Sequence, residues 1–309
     1  MSTHPTFLIR ELSPERDFEA WLRLIHTVEM EDSGAVETSP EHLRRALERK
    51  GPRRWVAESP ADPEVLVGYA LLFPQIPERS YVNVLIHPGW RRQGLGSRML
   101  SLLNSAARES GARWAYNELN DRDAVAIAFA RHNGFRPAGD AWVLGAPAEA
   151  DFAEPAWPEG YSVRSYAEVN DIQTLADACN RGFGDMWGHH ENTAGGVRPE
   201  ELGEWSKNRD PSGIFLAFAP DGSVIGTCRA EARASEDLVD EPGVAPGHRQ
   251  HRLQRPMVLT ALRWLRSQAR HPVRLESWGD TPETIALYEE IGFKLTEHAI
   301  SMTYDLLPE

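Results

Sequence analysis

The chain repeats itself. Pro88, Arg91, Leu95, Met99, Gly134 and Phe135 recur as Pro246, Arg249, Leu253, Met257, Gly292 and Phe293, each 158 residues further on. A spacing held from a loop to a closing Gly-Phe pair is hard to obtain by chance. Upstream the spacing is 154: "IRELSPERD" (9–17) faces "VRSYAEVND" (163–171), and Arg10 falls on Arg164. A length of 309 residues is already long for one core. The duplication therefore predicts two similar domains, 1–147 and 160–309, joined by a segment at 148–159 whose Pro, Ala and acidic residues suit an exposed connector.

Both copies read in one order. A short strand (7–10; 161–164) leads into a helical region, and two apolar runs follow, at 53–73 and 213–232. "PDGS" at 220–223 has the residues of a hairpin turn, so these runs predict antiparallel strands. A fourth strand at 81–86 enters a glycine loop. The next helix carries Met99, Leu100, Leu103, Ala106 and Ala107 at helical spacing. A fifth strand (114–119), a helix across 123–132 and a last strand after "GF" complete the unit. The fold class is α/β in the α+β sense, a mixed sheet with helices on its faces, present twice.

Composition narrows the functions open to such a pair. No apolar run approaches the ~20 residues that span a bilayer, and "MSTHPTFLIRELSPERD" lacks the basic-then-apolar order of a leader, so a cytoplasmic protein is expected. Cys179 and Cys228 are far apart and form neither a disulfide framework nor a zinc cluster. The histidines of "GHHE" (188–191) have no metal-binding spacing, so no metal is expected, and the glycines around them suggest a mobile loop or lid. A net charge of −13 opposes nucleic-acid binding and leaves any anionic ligand dependent on a local basic site.

Such a site stands at "RRQGLG" (91–96). Its glycines allow close backbone approach, Arg91 and Arg92 supply charge, and the following helix points its positive end at the loop. A strand ending "VLIHP", then R-x-x-G-x-G, an amphipathic helix, a strand and a helix ending "NGF" resemble the acetyl-CoA-binding motifs of the GNAT acetyltransferase superfamily. The resemblance implies that the amides of Gln93, Gly94, Leu95, Gly96 and Ser97 hold the CoA diphosphate with Arg91 and Arg92 beside them. It also implies that the pantetheine arm pairs with the fourth strand around Leu85 and Ile86. The reaction implied is acetyl transfer from acetyl-CoA to an amine.

The copies depart from the family pattern in opposite ways. Members often place a tyrosine four residues before the glycine of "GF" to protonate the leaving thiolate; that position is Ala130 in the first copy and Tyr288 in the second. A strand-four glutamate often serves as base; here Asn83 stands opposite Glu241. The first copy keeps the loop, whereas the second keeps Tyr288 and Glu241 but puts Arg252 and Gln254 in place of the glycines. Pro242, if in the strand, removes an amide donor. The second copy is therefore read as a degenerate domain that walls a substrate pocket, with a sharper alternative in which Arg252 and Arg255 grip phosphate and Tyr288 is active.

The leading expectation is an N-acetyltransferase that binds acetyl-CoA in the first copy and acetylates a primary amine of a small molecule, as a monomer or homodimer. Its base is then Glu118 on the fifth strand, with His26 a weaker candidate, while Glu29, Glu31 and Asp32 attract a cationic amine. Two readings compete: a non-catalytic acyl-CoA sensor, and catalysis in the second copy.

Overall fold

The computed structural model describes residues 6–76, 78–186 and 196–307; the side chains of Gln75, Ile76 and Glu241 also lie outside the described residues. In the first half, β1 (Ile9–Glu11), β2 (Arg53–Glu58), β3 (Leu66–Ile76) and β4 (Arg79–Ile86) pair antiparallel in chain order. Between β1 and β2 run α1 (Pro14–Ser33) and α2 (Pro40–Glu48). α1 has Pro14 in its first turn, buries Trp21, Leu24, Ile25 and Val28 on one side, and stops at Gly34, whose φ of +75° is left-handed. Arg10 ties three elements together: it forks Asp17 of α1 at 2.6 and 2.8 Å and donates to Glu58 of β2 at 2.6 Å. α3 (Leu95–Glu109), β5 (Trp114–Asn120), α4 (Ala124–His132) and β6 (Arg136–Ala146) follow.

The second half repeats the plan with β7 (Ser162–Ser165), the single turn α5 (Tyr166–Val169), α6 (Ile172–Gly182), α7 (Pro199–Ser206), β8 (Ile214–Phe218), β9 (Val224–Glu231) and β10 (Asp237–Val244). After these come α8 (Gln254–Gln268), β11 (Val273–Trp278), α9 (Pro282–Ile291) and β12 (Lys294–Asp305). The β8–β9 hairpin turns at "PDGS" as its residues predict: Gly222 has φ +82° and Asp221 accepts from the Ser223 amide at 2.9 Å.

The chain forms two compact units whose borders differ from 1–147 and 160–309. The first comprises Met1–Asn117, Ala128–Arg136 and Met302–Glu309; the second comprises Glu118–Ile127 and Pro137–Ser301. Each copy's last strand has thus moved toward the other unit. In the second unit β6 pairs antiparallel with β11, from Val273↔Ala146 to Trp278↔Ala141, and Trp142, Leu144 and Ala146 enter a core with Met257, Leu262 and Leu275. In the first, Leu306 donates its amide to Arg113 at 2.8 Å, Arg108 donates to the Leu306 carbonyl at 2.7 Å, and the rings of Tyr304 and Phe135 lie 5.4 Å apart. The physical need is plain. Pairing with β4 satisfies only one edge of β5, and an open edge must be covered.

The segment expected as an exposed connector is half exposed, and it also makes contacts within the second unit. Phe152 stacks on Phe293 at 6.0 Å, and Arg266 of α8 reaches the carbonyls of Pro147 and Ala150 at 3.4 and 3.5 Å. Glu149, Asp151, Ala153, Glu154, Ala156 and Glu159 stay exposed. Within the second unit His298 of β12 lies flat on Trp142, 3.6 Å between ring centroids, with Nδ1 3.0 Å from Asp121 and Nε2 2.8 Å from Asp140. Among the described residues no helix is long and apolar enough to cross a membrane, and no group of three or more His, Cys, Asp or Glu could hold a metal ion. The lid segment, with His189 and His190, lies outside the described residues over 187–195.

Candidate active site

The loop between β4 and α3 has the backbone that its glycines predict. A 3-10 turn at Pro88–Trp90 is followed by Arg92 and Gly94, both left-handed at φ +63° and +81°. Gly94 is the N-cap of α3 and offers no side chain to it. The first amides of that helix therefore lack an internal partner, and an anion is what such a terminus accepts. Gly96 serves a different need: a Cβ there would come 3.1 Å from the Phe129 ring of α4 and 3.6 Å from Ile86. Any side chain at 96 must enter the gap between β4 and α4.

That gap opens because β4 and β5 separate. Their parallel pairing runs from Arg79↔Trp114 to Tyr81↔Tyr116 and then stops. Where the next rung would be, the Asn117 side-chain amide donates to the Val82 carbonyl, which holds the fork at that point. Beyond it, Asn83, Val84, Leu85 and Ile86 are half-buried rather than enclosed, so the later edge of β4 is open to an extended ligand with amide groups. Asn83, at the position where a base was sought, donates to the Tyr81 hydroxyl at 3.3 Å. Nearby Tyr69 is sunk in the core, and burial pushes its hydroxyl up to about 12, against the opposing effect of Arg54, so it stays protonated.

Several candidates have structural partners that sequence alone did not reveal. Arg91 does not simply offer charge to a phosphate: its two Nη atoms fork Asp32 of α1, both at 2.8 Å, and its Nε donates to the Ile86 carbonyl at 3.1 Å. Asp32 is correspondingly engaged rather than waiting for an amine. Glu29 accepts from the Glu37 and Thr38 amides at 3.1 and 3.2 Å and from the Thr38 hydroxyl. Burial alone would raise its carboxyl, but the bonds from Thr38 and Glu37 hold it below the usual range. His26 Nε2 meets the Thr38 carbonyl at 2.8 Å, so this pair anchors the α1–α2 connection. Glu31 and Arg92 are exposed, and Gln93 lies near the Gly89 carbonyl at 3.4 Å. Leu95 is buried as the first core residue of α3, with Ser97 half-buried beside it. Ala130 is buried in α4. Glu118 is exposed on β5 next to Asn117, within the stretch that belongs to the second unit.

In the second copy the corresponding opening is filled. Arg252 adopts φ +54°, the left-handed geometry that Gly94 has in the first loop, and its guanidinium is taken by Glu290 of α9 at 2.6 Å. The loop arginine is thus already paired with a carboxylate of α9, which weighs against Arg252 gripping phosphate. Gln254 is only 3% exposed and occupies the place of Gly96. Pro242 does lie in β10, at a bulge against β9 between Asp240 and Gly243. Pro242, Gly243 and Val244 are buried, and a Cβ on Gly243 would fall 2.4 Å from the Phe183 ring. Tyr288 is fully enclosed and donates to Asp280 at 2.8 Å, while Ser277 donates to the same oxygen at 2.5 Å. Burial, reinforced by the Asp280 charge, holds the Tyr288 hydroxyl well above its ordinary range, which suits a fixed donor and not an accessible acid. The Glu241 side chain lies outside the described residues.

Asn117 was not singled out in the sequence. The signal it left is a polar residue that ends the buried run Trp114, Ala115, Tyr116 one step before Glu118.

Comparison with known proteins agrees with this geometry. Residues 51–137, from β2 through α4, match the family model for an acetyltransferase (GNAT) domain. A mycothiol acetyltransferase of Pseudarthrobacter chlorophenolicus is 28% identical over 244 residues, 76% of this chain and 73% of that protein. One from Thermobispora bispora is 27% identical over 239 residues, 75% and 78% of the two chains. Among solved structures, a GCN5-related N-acetyltransferase from Sphaerobacter thermophilus covers 98% of this chain and 96% of its own at a TM-score of 0.74 and 20% identity. A tandem GNAT protein from the clavulanic acid biosynthesis pathway covers 98% and 100% at 0.60 and 18% identity. Two copies of one plan, the forked strands and glycine loop of the first, and these likenesses along the chain agree: residues 51–137 form an acetyltransferase (GNAT) domain, in a chain whose second half repeats its plan.

Proposed function

We propose that acetyl-CoA binds in the first copy and that its acetyl group passes to a primary amine of a small molecule. The observation that carries the assignment to the first copy is the difference in exposure of equivalent residues: 83–86 of β4 are half-exposed beside an uncapped helix, whereas 242–244 of β10 are buried. The amides of 93–97 would take the diphosphate, the edge of β4 at Leu85 and Ile86 the pantetheine arm, and Arg92 the remaining charge. The cofactor supplies the acetyl group as a thioester. The protein must then take a proton from the substrate ammonium so that the free amine can attack the thioester and expel the CoA thiolate, and Glu118, exposed on β5, is the group proposed for that proton. Ala130 provides no acid, which general acid–base catalysis worth ~10²–10⁴-fold makes tolerable when the leaving group is a thiolate. A mycothiol-type acceptor, after the names of the relatives, is one member of the amine class to test.

The test is acetyl-CoA binding and thiol release across a panel of amines for wild type, Gly94→Trp and Tyr288→Phe. Loss of both activities in Gly94→Trp, with Tyr288→Phe unaffected in turnover per folded molecule, supports this reading. Sensitivity of turnover to Tyr288→Phe alone would move catalysis to the second copy, and binding without release under every amine would leave a sensor.

A further inference from the structure

The loop arginine makes the same fork and strand-end bond in both copies. In the second, Arg249 forks Asp185 through both Nη atoms at 2.6 Å, and its Nε donates to the Val244 carbonyl at 2.8 Å. These three bonds match those of Arg91 on Asp32 and Ile86, and Arg249 adds a longer one to the Gly182 carbonyl at 3.4 Å, although the second loop has lost both glycines and pairs Arg252 with Glu290. A geometry that persists where the anion site has been filled is not explained by phosphate. What the two loops share is shape: each arginine joins the last carbonyl of a strand to a carboxylate where a helix ends, Asp32 in the last turn of α1 and Asp185 in the turn that follows α6. In the first copy the carboxylate of Asp32 also offsets the charge that Arg91 would otherwise present to a ligand.

We infer that Asp32 is a positioning residue for the first loop: through Arg91 it braces the turn at 88–97, so that the amides stay converged before a ligand arrives, and Arg91 is a strut instead of a phosphate ligand. The inference rests on acetyl-CoA using the first copy, and it makes a prediction opposite to that of a direct phosphate contact. If Arg91 gripped phosphate, Asp32→Asn would remove a competing carboxylate and tighten binding. If Arg91 is a strut, the same change lets the loop spread and weakens binding, because the ligand must then supply the ordering.

The experiment is calorimetric titration of acetyl-CoA together with amide hydrogen exchange at 88–97, on wild type, Asp32→Asn, Asp32→Glu, Asp185→Asn and Gly94→Trp. The expected result is about fivefold weaker binding for Asp32→Asn, partial recovery in Asp32→Glu, and faster exchange at 88–97. Asp185→Asn, which breaks the same bonds in the second copy, should leave the affinity unchanged while speeding exchange at 246–255. Unchanged or tighter binding by Asp32→Asn overturns the inference. Should Gly94→Trp still bind acetyl-CoA, the assignment of the ligand to the first copy has failed, and exchange alone then decides: faster exchange at 88–97 in Asp32→Asn supports the strut, and unchanged exchange overturns it.

Discussion

The phenol of Tyr288 gives its only proton to Asp280, 2.8 Å away, in a site closed to solvent. A tyrosine so placed works for the fold. Tyr288→Phe should cost about 1–3 kcal/mol of stability, since it leaves Asp280 with Ser277 as its side-chain donor. Turnover per folded molecule should not change. Urea unfolding midpoints beside steady-state rates on the same preparations check this, and a kcat that falls at unchanged stability would refute it.

Gly96 should tolerate no side chain without loss of ligand. In Gly96→Val the added methyls meet Phe129 and Ile86 at the mouth of the forked strands. Affinity for acetyl-CoA should drop by at least tenfold, about 1.4 kcal/mol. Gln254→Gly in the second copy should not create a site, because Pro242, Gly243 and Val244 remain covered. Binding stoichiometry by calorimetry distinguishes one site from two.

Met302 is fully buried in the part of β12 that belongs to the first unit. Met302→Ala should cost about 2–5 kcal/mol. The loss should appear as faster amide exchange around Arg113–Tyr116, which that strand covers, and not in the hairpin at Phe218–Val224.

Asp17 gives the acid limb of the stability profile a definite sign. Burial alone would raise its carboxyl, but Arg10 and the Ser13 amide hold it below the ordinary range. A depressed carboxyl stabilises the fold at neutral pH, and that contribution is lost as pH falls through its folded value. Asp17→Asn should therefore lower stability by about 3 kcal/mol near pH 7, since it leaves Arg10 with Glu58 as its one carboxylate partner. The deficit should shrink below pH 4. Thermal melts between pH 3 and 8 measure both.

Much of this was legible from spacing. The repeat at 158 residues located both loops, the apolar periods gave the strands and helices, and "PDGS" gave a real hairpin. What escaped were relations across long sequence distances. Arg10 and Arg164 align in the repeat, yet Arg10 forks Asp17 while Arg164 lies over the Phe218 ring, because a matched residue type does not carry its partners with it. Asp32 looked like a free anion beside Glu29 and Glu31, since nothing at position 32 announces an arginine 59 residues later. The exchange of last strands left no mark in the repeat either. β6 and β12 keep the ordinary order of their copies, and only the open edge of β5 decides which strand covers it.

That exchange has a consequence for how the molecule is made. The first unit takes in Met302–Glu309, so it stays unfinished while the ribosome adds the whole second half. At usual elongation speeds that interval is on the order of ten seconds. Throughout it, one border of the nascent sheet is bare and adhesive, and cells making this protein quickly would need a chaperone to shield it.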